Sequence, residues 1–571
     1  MNVCPNCNTT ILENDSLFCA GCGSPLTPPS VPPRRKKLWI IAGVAVCLVL
    51  LGILAWRLWY GGPVRAAKLV PEDTDIFVVV KPDPQQVKNF NHIKDIYLSI
   101  PEVREAVEEW EKDFRQEADL DFEADVKPWL GREAALAVPD LTVDEDPAVL
   151  LALETKDEAK TSACMRKMLA RMEEDGYEFT TRVYQGTGVT VEENASNPFA
   201  YAITGDFLLV SNDEDLLCET IDRAKNNNKQ NLANNEHYQE VMKRLPRGRA
   251  LACYLDYQNL VQMARDEGSM GPVEWWLDRM EAYESIGYAL SFVREGIRMD
   301  YVSTLNPEKS SSLPTAGADK LEETLVLTPE DSVAYIGTTV IPSYLRNLLA
   351  DVHTEPGLSD VSEGLNEMES ETGIDIEQDI LGWMKGEMAL AIIPDNTGLF
   401  GETDIPVGFV FMVEVNDSDF AARKVDKIAN VFMQEEPITL DHQTISGSEV
   451  RWLRDASSTD ATLGYCFDNN YLIMGSSEYL FRQTLSKGNP LAKSPTFKSA
   501  MKEVPSPETS CMYFDVKKGT ELLRKSLDSY DRQEFDQEVY PYVKPIKSVA
   551  FSAQVDKDNA ESGTLMVSVS E

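Results

Sequence analysis

The sequence predicts a multidomain chain: a small Cys4 zinc ribbon, one transmembrane helix, and two tandem homologous α+β domains with mostly antiparallel sheets. Three observations carry this fold class. Two CxxC pairs lie within the first 22 residues, an uncharged run of 19 residues begins at Leu38, and the remaining chain repeats its own pattern at offsets of 254 to 264 residues. A length of 571 residues, 43% of them hydrophobic and 26% charged, is enough for several cores and excludes whole-chain disorder.

The ribbon is predicted over residues 1–25. Cys4 and Cys7 form one knuckle, and Cys19 and Cys22 form the second after eleven intervening residues. Four soft thiolates from two tight turns suit one tetrahedral structural Zn2+ and leave no open position for a substrate. So short a module has too little core without metal, so its folding is expected to be coupled to zinc binding. A redox CxxC is the competing reading, and two pairs at ribbon spacing argue against it.

Residues 26–37 form a Pro-rich linker that ends in Arg34, Arg35, Lys36 and Lys37. The apolar run after it is read as a membrane span over residues 38–58. Its 19 uncharged residues reach about 28 Å as a helix, close to a bilayer's hydrocarbon thickness. Trp39 lies near one end and Trp56, Trp59 and Tyr60 near the other, as interfacial aromatic belts require. The basic cluster places the N-terminus in the cytoplasm and the C-terminal body outside it, anchored to the cell membrane by a single pass. Cys47, preceded by Val46, reads as apolar filler rather than a lipid-attachment site.

The body reads as a duplication. "LVPEDTDIFVVV" from Leu69 matches "LTPEDSVAYIGT" from Leu327, and Val103, Val107 and Trp110 match Val361, Leu365 and Met368 on one helical face. Leu120, Asp121, Glu123, Asp125, Trp129 and Glu133 then match Ile374, Asp375, Glu377, Asp379, Trp383 and Glu387. Three further blocks pair Phe207 with Tyr471, Asp256 with Asp515 and Ser285 with Ser548, in the same order. Repeat one is placed at 66–306, a Ser/Pro/Gly linker at 307–321, and repeat two at 322–571. Within repeat one, 75–81, 133–138 and 148–154 read as strands, and 162–174, 213–224 and 236–245 as helices. Residues 548–556 and 563–569 should form a closing antiparallel pair. Clean βαβ alternation is absent, which argues against a doubly wound fold.

The net charge is -40, from 94 Asp and Glu against 54 Lys and Arg. Residues 1–60 hold five basic and two acidic side chains, so the body holds all of this acidity and excludes nucleic acid as its partner. No GxSxG elbow, phosphate loop or HExxH motif occurs, and His92, His237, His353 and His442 are widely separated. The run Asp119, Asp121, Glu123, Asp125 has Ala124 and Leu130 where a calcium loop needs Gly and Glu, so it reads as a cap or solvated face. Cys164, Cys218, Cys253, Cys466 and Cys511 contain no CxxC and read as small buried residues. The equivalent Trp129 and Trp383 read as core anchors at a helix–strand junction. Asn194-Ala-Ser196 is a formal glycosylation acceptor.

"VPEDTDIFVVV" and its later counterpart, "WLGREAALAVPD" with "WMKGEMALAIIPD", and the span before them resemble bacterial membrane proteins of the domain-of-unknown-function family numbered 3352. "CPNC…CAGC" resembles the short zinc-ribbon head found on many membrane proteins. That resemblance implies a topology and no reaction, so no catalytic residue follows from it. The expected function is a single-pass envelope protein whose acidic duplicated ectodomain binds or assembles with a protein or an envelope polymer. Its lipid contact is through 38–58, and its structural zinc module lies in the cytoplasm. The alternative is an extracytoplasmic enzyme, with hydrolysis as its reaction class.

Overall fold

The computed structural model describes residues 64–570, apart from 142–145, 196–197, 227–228, 267–271, 307, 310–319, 356–357, 398–405, 436–437, 456–460, 487 and 556–559, together with residues 2–3 and 10–11. The chain divides into two compact units, Met1–Gly52 and Ile53–Glu571. In the first, two short strands, Asn2–Val3 and Thr10–Ile11, pair antiparallel.

In the second unit each repeat supplies ten of the described strands. Repeat one contains β1 (Ile76–Val80), β2 (Leu130–Val138), β3 (Leu150–Thr155), β4 (Phe179–Tyr184), β5 (Thr187–Glu192), β6 (Ala200–Thr204), β7 (Phe207–Ser211), β8 (Leu251–Asp256), β9 (Tyr283–Val293) and β10 (Gly296–Leu305). Repeat two contains β11 (Ala334–Thr338), β12 (Met384–Pro394), β13 (Val407–Val415), β14 (Ile438–Ile445), β15 (Ser448–Asp455), β16 (Ala461–Asp468), β17 (Tyr471–Gly475), β18 (Ser510–Phe514), β19 (Ile546–Val555) and β20 (Glu561–Val569). Each strand of repeat one therefore has its counterpart ten places later.

The pairings join all twenty into one antiparallel sheet, ordered β4-β5-β6-β7-β3-β2-β1-β8-β9-β10-β20-β19-β18-β11-β12-β13-β17-β16-β15-β14. The second half of that order is the first half reversed, so a pseudo-twofold axis passes through the β10·β20 seam. It falls at the pair Asp300 and Thr564, where the Thr564 hydroxyl donates to Asp300 Oδ1 at 2.7 Å. Arg298 also grips Asp300 through Nε and Nη2. Close approach at the seam requires glycine at one position: a Cβ on Gly296 would lie 2.0 Å from the Val567 carbonyl oxygen.

This architecture corrects the expected fold class. Two tandem domains with separate sheets are replaced by a single large antiparallel sheet with helices. The cause is that β10 and β20 would each be an unprotected edge strand if the repeats stood apart. Paired together, they satisfy one another's backbone groups. The other two elements of that class receive no support. Among the described residues no helix is long and apolar enough to cross a membrane, and no group of His, Cys, Asp and Glu could hold a metal ion. Residues 38–58 and Cys4, Cys7, Cys19 and Cys22 lie outside the described residues.

Each repeat nevertheless keeps its own core on one side of the sheet. In repeat one, Phe77 and Tyr254 meet Tyr238 edge-on at 5.9 and 5.5 Å, and Leu217, Ile221 and Val241 close over them from helices Glu214–Asn226 and Glu236–Arg244. In repeat two, Trp452 meets Phe481 at 5.3 Å and Phe497 meets Tyr513 at 5.2 Å. Alternation along each strand sends one set of side chains into these cores.

Candidate functional site

The other set of side chains on the central strands is also apolar, and it is incompletely covered. β18 reads "SCMYF": Cys511 and Tyr513 enter the core, while Met512 and Phe514 face the opposite way. β11 reads "AYIGT", with Tyr335 buried and Ile336 exposed. The ladder sets Ile336 opposite both Met512 and Leu390, and Ala334 opposite Phe514, so these side chains form one patch. Across the seam the same face carries Tyr288 and Met299, and Tyr301 stacks on Phe551 at 6.4 Å with the rings 7° apart.

Helices along this face include α1 (Pro84–Leu98) and α3 (Ile341–Val352), with α2 (Pro101–Ala118) packed on α1 and α4 (Ser359–Thr372) on α3, and helix Val516–Ser526, whose Gly519 lies against the Phe514 ring. Asp83 caps α1 by accepting from the amides of Gln85 and Gln86, and Pro84 suits the first helical turn. α1 then packs on the end of β9. Phe90 meets Phe292 edge-on at 4.9 Å, the Phe292 amide donates to Gln86 Oε1 at 2.6 Å, and Asn89 Nδ2 donates to the Phe292 carbonyl. Its counterpart α3 rests instead against β12 and the π-helical turn Ile376–Leu381, with Arg346 donating to the carbonyls of Leu381 and Met384. α3 is tied to repeat one by the ion pair of Arg279 with Asp351.

The duplicated acidic motif forms the junction between each helix pair and the sheet. Asp121 caps the turn Phe122–Val126 through the Ala124 amide, and Asp375 caps its counterpart through the Gln378 amide. Asp125 accepts from the Asp121 amide and Lys167; Asp379 accepts from the Asp375 amide, Lys424 and Lys427. Burial alone would raise the Asp379 pKa, but the two ammonium groups outweigh it and hold the carboxyl at about 2. The indole N–H of Trp129 donates to the Asp125 carbonyl at 2.8 Å, and that of Trp383 to the Asp379 carbonyl at 2.7 Å. These residues build the scaffold. Asp119, outside the turn, closes α2 in a left-handed conformation.

Glu133 and Glu387 are both buried, and their acceptors are used internally. Glu133 accepts from the Ala66 amide at 2.6 Å and from Lys81 at 2.8 Å. Glu387 accepts from the Thr324 amide and hydroxyl and from the Tyr471 hydroxyl at 2.8 Å. In each repeat the glutamate thus satisfies the start of the short helix preceding the first strand.

A polar cleft beside α4 brings His353 near Glu369, Asp375 and Glu377, with Leu349, Leu365, Asn366 and Ile376 completing its wall. Among the described residues its lining includes no Ser, Thr, Cys or Lys. His237 lies 3.2 Å from Glu284, and His442 lies 2.7 Å from Glu449, at separate places on the surface. The five cysteines of the body are free thiols. Burial pushes Cys466 and Cys511 up to about 12 and Cys253 up to about 11, so they are unsuited to nucleophilic work. Cys253 shares the open face with Tyr288, whereas Cys511 faces the core, so their strands correspond but these two positions do not. Asn194 sits in a turn at positive φ.

The structure therefore assembles the acidic motif and the two tryptophans as supports. No motif in the sequence marks the open apolar face, although "AYIGT" and "SCMYF" carry apolar residues at both parities.

The profile of a family described as "Protein of unknown function (DUF3352)" matches residues 40–569. No curated protein matches the chain. Among solved structures, crystal forms III and I of TP0453 are each 11% identical, covering 43% of this chain and 81% of theirs at a TM-score of 0.24. Form IV is 12% identical, with coverage of 42% and 78% and a TM-score of 0.22.

Proposed function

The chain belongs to the DUF3352 family, and we propose that it is a membrane-anchored envelope protein whose acidic duplicated body binds a partner through the open apolar face of its sheet. The observation that carries this reading is the patch of Ile336, Leu390, Met512 and Phe514, large apolar side chains standing open to solvent in the middle of a twenty-stranded sheet. Such a contiguous apolar surface favours burial against another molecule. Anchoring is assigned to residues 38–58, and Cys4, Cys7, Cys19 and Cys22 are assigned as the thiolate ligands of one structural Zn2+. The support for both is the sequence pattern: an uncharged run flanked by basic residues, and two CxxC knuckles.

The test is cross-linking in cells, comparing the full chain with the Ile336→Ser/Met512→Ser variant at equal expression. A partner captured by the parent and lost from the variant is the expected result. Identical capture by both proteins overturns the role of the face. Extraction of the chain from membranes by high salt alone overturns the anchor.

A further inference from the structure

We propose that the open face of repeat two is a docking groove for a cationic amphipathic helix; this rests on the binding role given above and names its occupant. Ile336, Met512, Leu390 and Phe514 are 47%, 46%, 37% and 42% exposed, and Ile341 and Tyr344 of α3 border them at 40% and 38%. Three features of the molecule select the occupant.

First, the sheet offers the occupant no backbone partners. β11 is bonded on both sides, to β12 and β18; β12 is bonded to β11 and β13, and β18 to β11 and β19. An extended peptide laid on this face would give up hydrogen bonds to water and receive none in return. A helix brings its backbone already satisfied and needs only an apolar stripe.

Second, the same side of the sheet accepts a helix elsewhere in the molecule. In repeat one α1 seats Phe90 on Phe292 and buries Ile93 and Ile96 beside it. In repeat two the corresponding helix is held on β12, and the patch beside it is left open.

Third, the α3–α4 side of the patch is acidic, whereas on its Phe514 side helix Val516–Ser526 has Lys518 and Arg524 held by Asp331 and Asp536 and also carries Lys517 and Lys525. From residue 347 to residue 384 the chain carries ten carboxylates and no Lys or Arg, a stretch that includes the end of α3, all of α4 and the π-helical turn. Glu355, Asp360, Glu363, Glu367, Glu369 and Glu371 are exposed. The matching stretch of repeat one, residues 89–130, holds twelve carboxylates but also five Lys and Arg. Lys and Arg flanking the apolar stripe of the occupant complement this acidic side and steer its approach.

The experiment uses the full chain in phosphatidylcholine nanodiscs and a fluorescent Leu/Lys amphipathic helix of about 18 residues, read by anisotropy against empty nanodiscs. The controls are a Leu/Glu helix of the same pattern and a fluorescent fatty acid. Saturable binding of the Leu/Lys helix is expected. It should weaken about tenfold or more in Ile336→Ser/Met512→Ser. In Glu363→Gln/Glu367→Gln/Glu371→Gln it should weaken and lose salt dependence. Equal binding of the Leu/Glu helix, tighter binding of the fatty acid, absence of Leu/Lys binding, or self-association that Ile336→Ser/Met512→Ser abolishes would each overturn the assignment. If the Leu/Lys helix fails while Ile336→Ser/Met512→Ser still loses its partner in cells, the binding role stands and only the occupant is wrong. Unchanged thermal unfolding of both variants excludes misfolding as the cause.

Discussion

Repeat one and repeat two share a strand order, a capped π-helical turn, a buried glutamate and a buried tryptophan, yet they place one helix differently. α1 lies on β9 and is fastened to the backbone of Phe292 by Gln86 and Asn89. α3 has Asn347 at the position of Asn89 but Tyr344 at that of Gln86, and it is held through Arg346 and Asp351 instead. The two repeats agree in what closes each core and differ in residues on the second face of the sheet. In repeat two that face carries an open apolar patch with carboxylates along its α3–α4 side.

The comparison can be broken most forcefully at the seam. Gly296→Ala should destabilise the body by about 3 kcal/mol, because the new Cβ meets the Val567 carbonyl across β10 and β20. Ala560 stands at the register-equivalent position of repeat two, and Ala560→Gly should cost about 1 kcal/mol or less. Denaturant midpoints compare the two. Equal effects would remove the asymmetry claimed for the seam.

Next come the buried glutamates. Glu133→Gln leaves the Lys81 ammonium without its carboxylate and should cost about 2 kcal/mol. Glu387→Gln keeps an acceptor for neutral donors and should cost about 1 kcal/mol. A reversed ranking in urea unfolding would show that the Lys81 ammonium does not set the cost at Glu133.

A smaller effect depends on pH. The folded Asp379 carboxyl titrates at about 2, below its usual value near 3.8. Its stabilisation is therefore present above about pH 4 and is lost as pH falls toward 2. Asp379→Asn should cost about 1 kcal/mol at neutral pH, the half-exposed Lys427 being partly screened, and almost nothing near pH 2. A cost independent of pH would mean that packing, rather than charge, holds the turn.

The smallest expected change is in the patch itself. Met512→Ser should alter stability by less than about 1 kcal/mol, since nearly half of the side chain is already in solvent. A larger loss in thermal unfolding would show that the face is structural, and a loss of partner binding without it would sharpen its assignment as a binding surface.

Much of this architecture was legible in the chain. The β-branched, apolar run at 75–81, the closing pair that includes 548–556 and the helix at 236–245 place elements within a few residues of those observed, because each pattern records the local conformation its side chains favour. The repeated Asp, Trp and Glu positions were also visible, and the junction and cap they form follow from short-range contacts. By itself the sequence determined the order of the elements it marked and the duplication. The tertiary structure decided that β10 and β20 pair, that α1 and α3 land on different strands, and which apolar row stays open. Strand pairing runs through backbone groups common to every residue, so a Ser/Pro/Gly linker that reads as a domain boundary does not forbid it. The openness of a face depends on what packs over it from far along the chain, and no local periodicity records that.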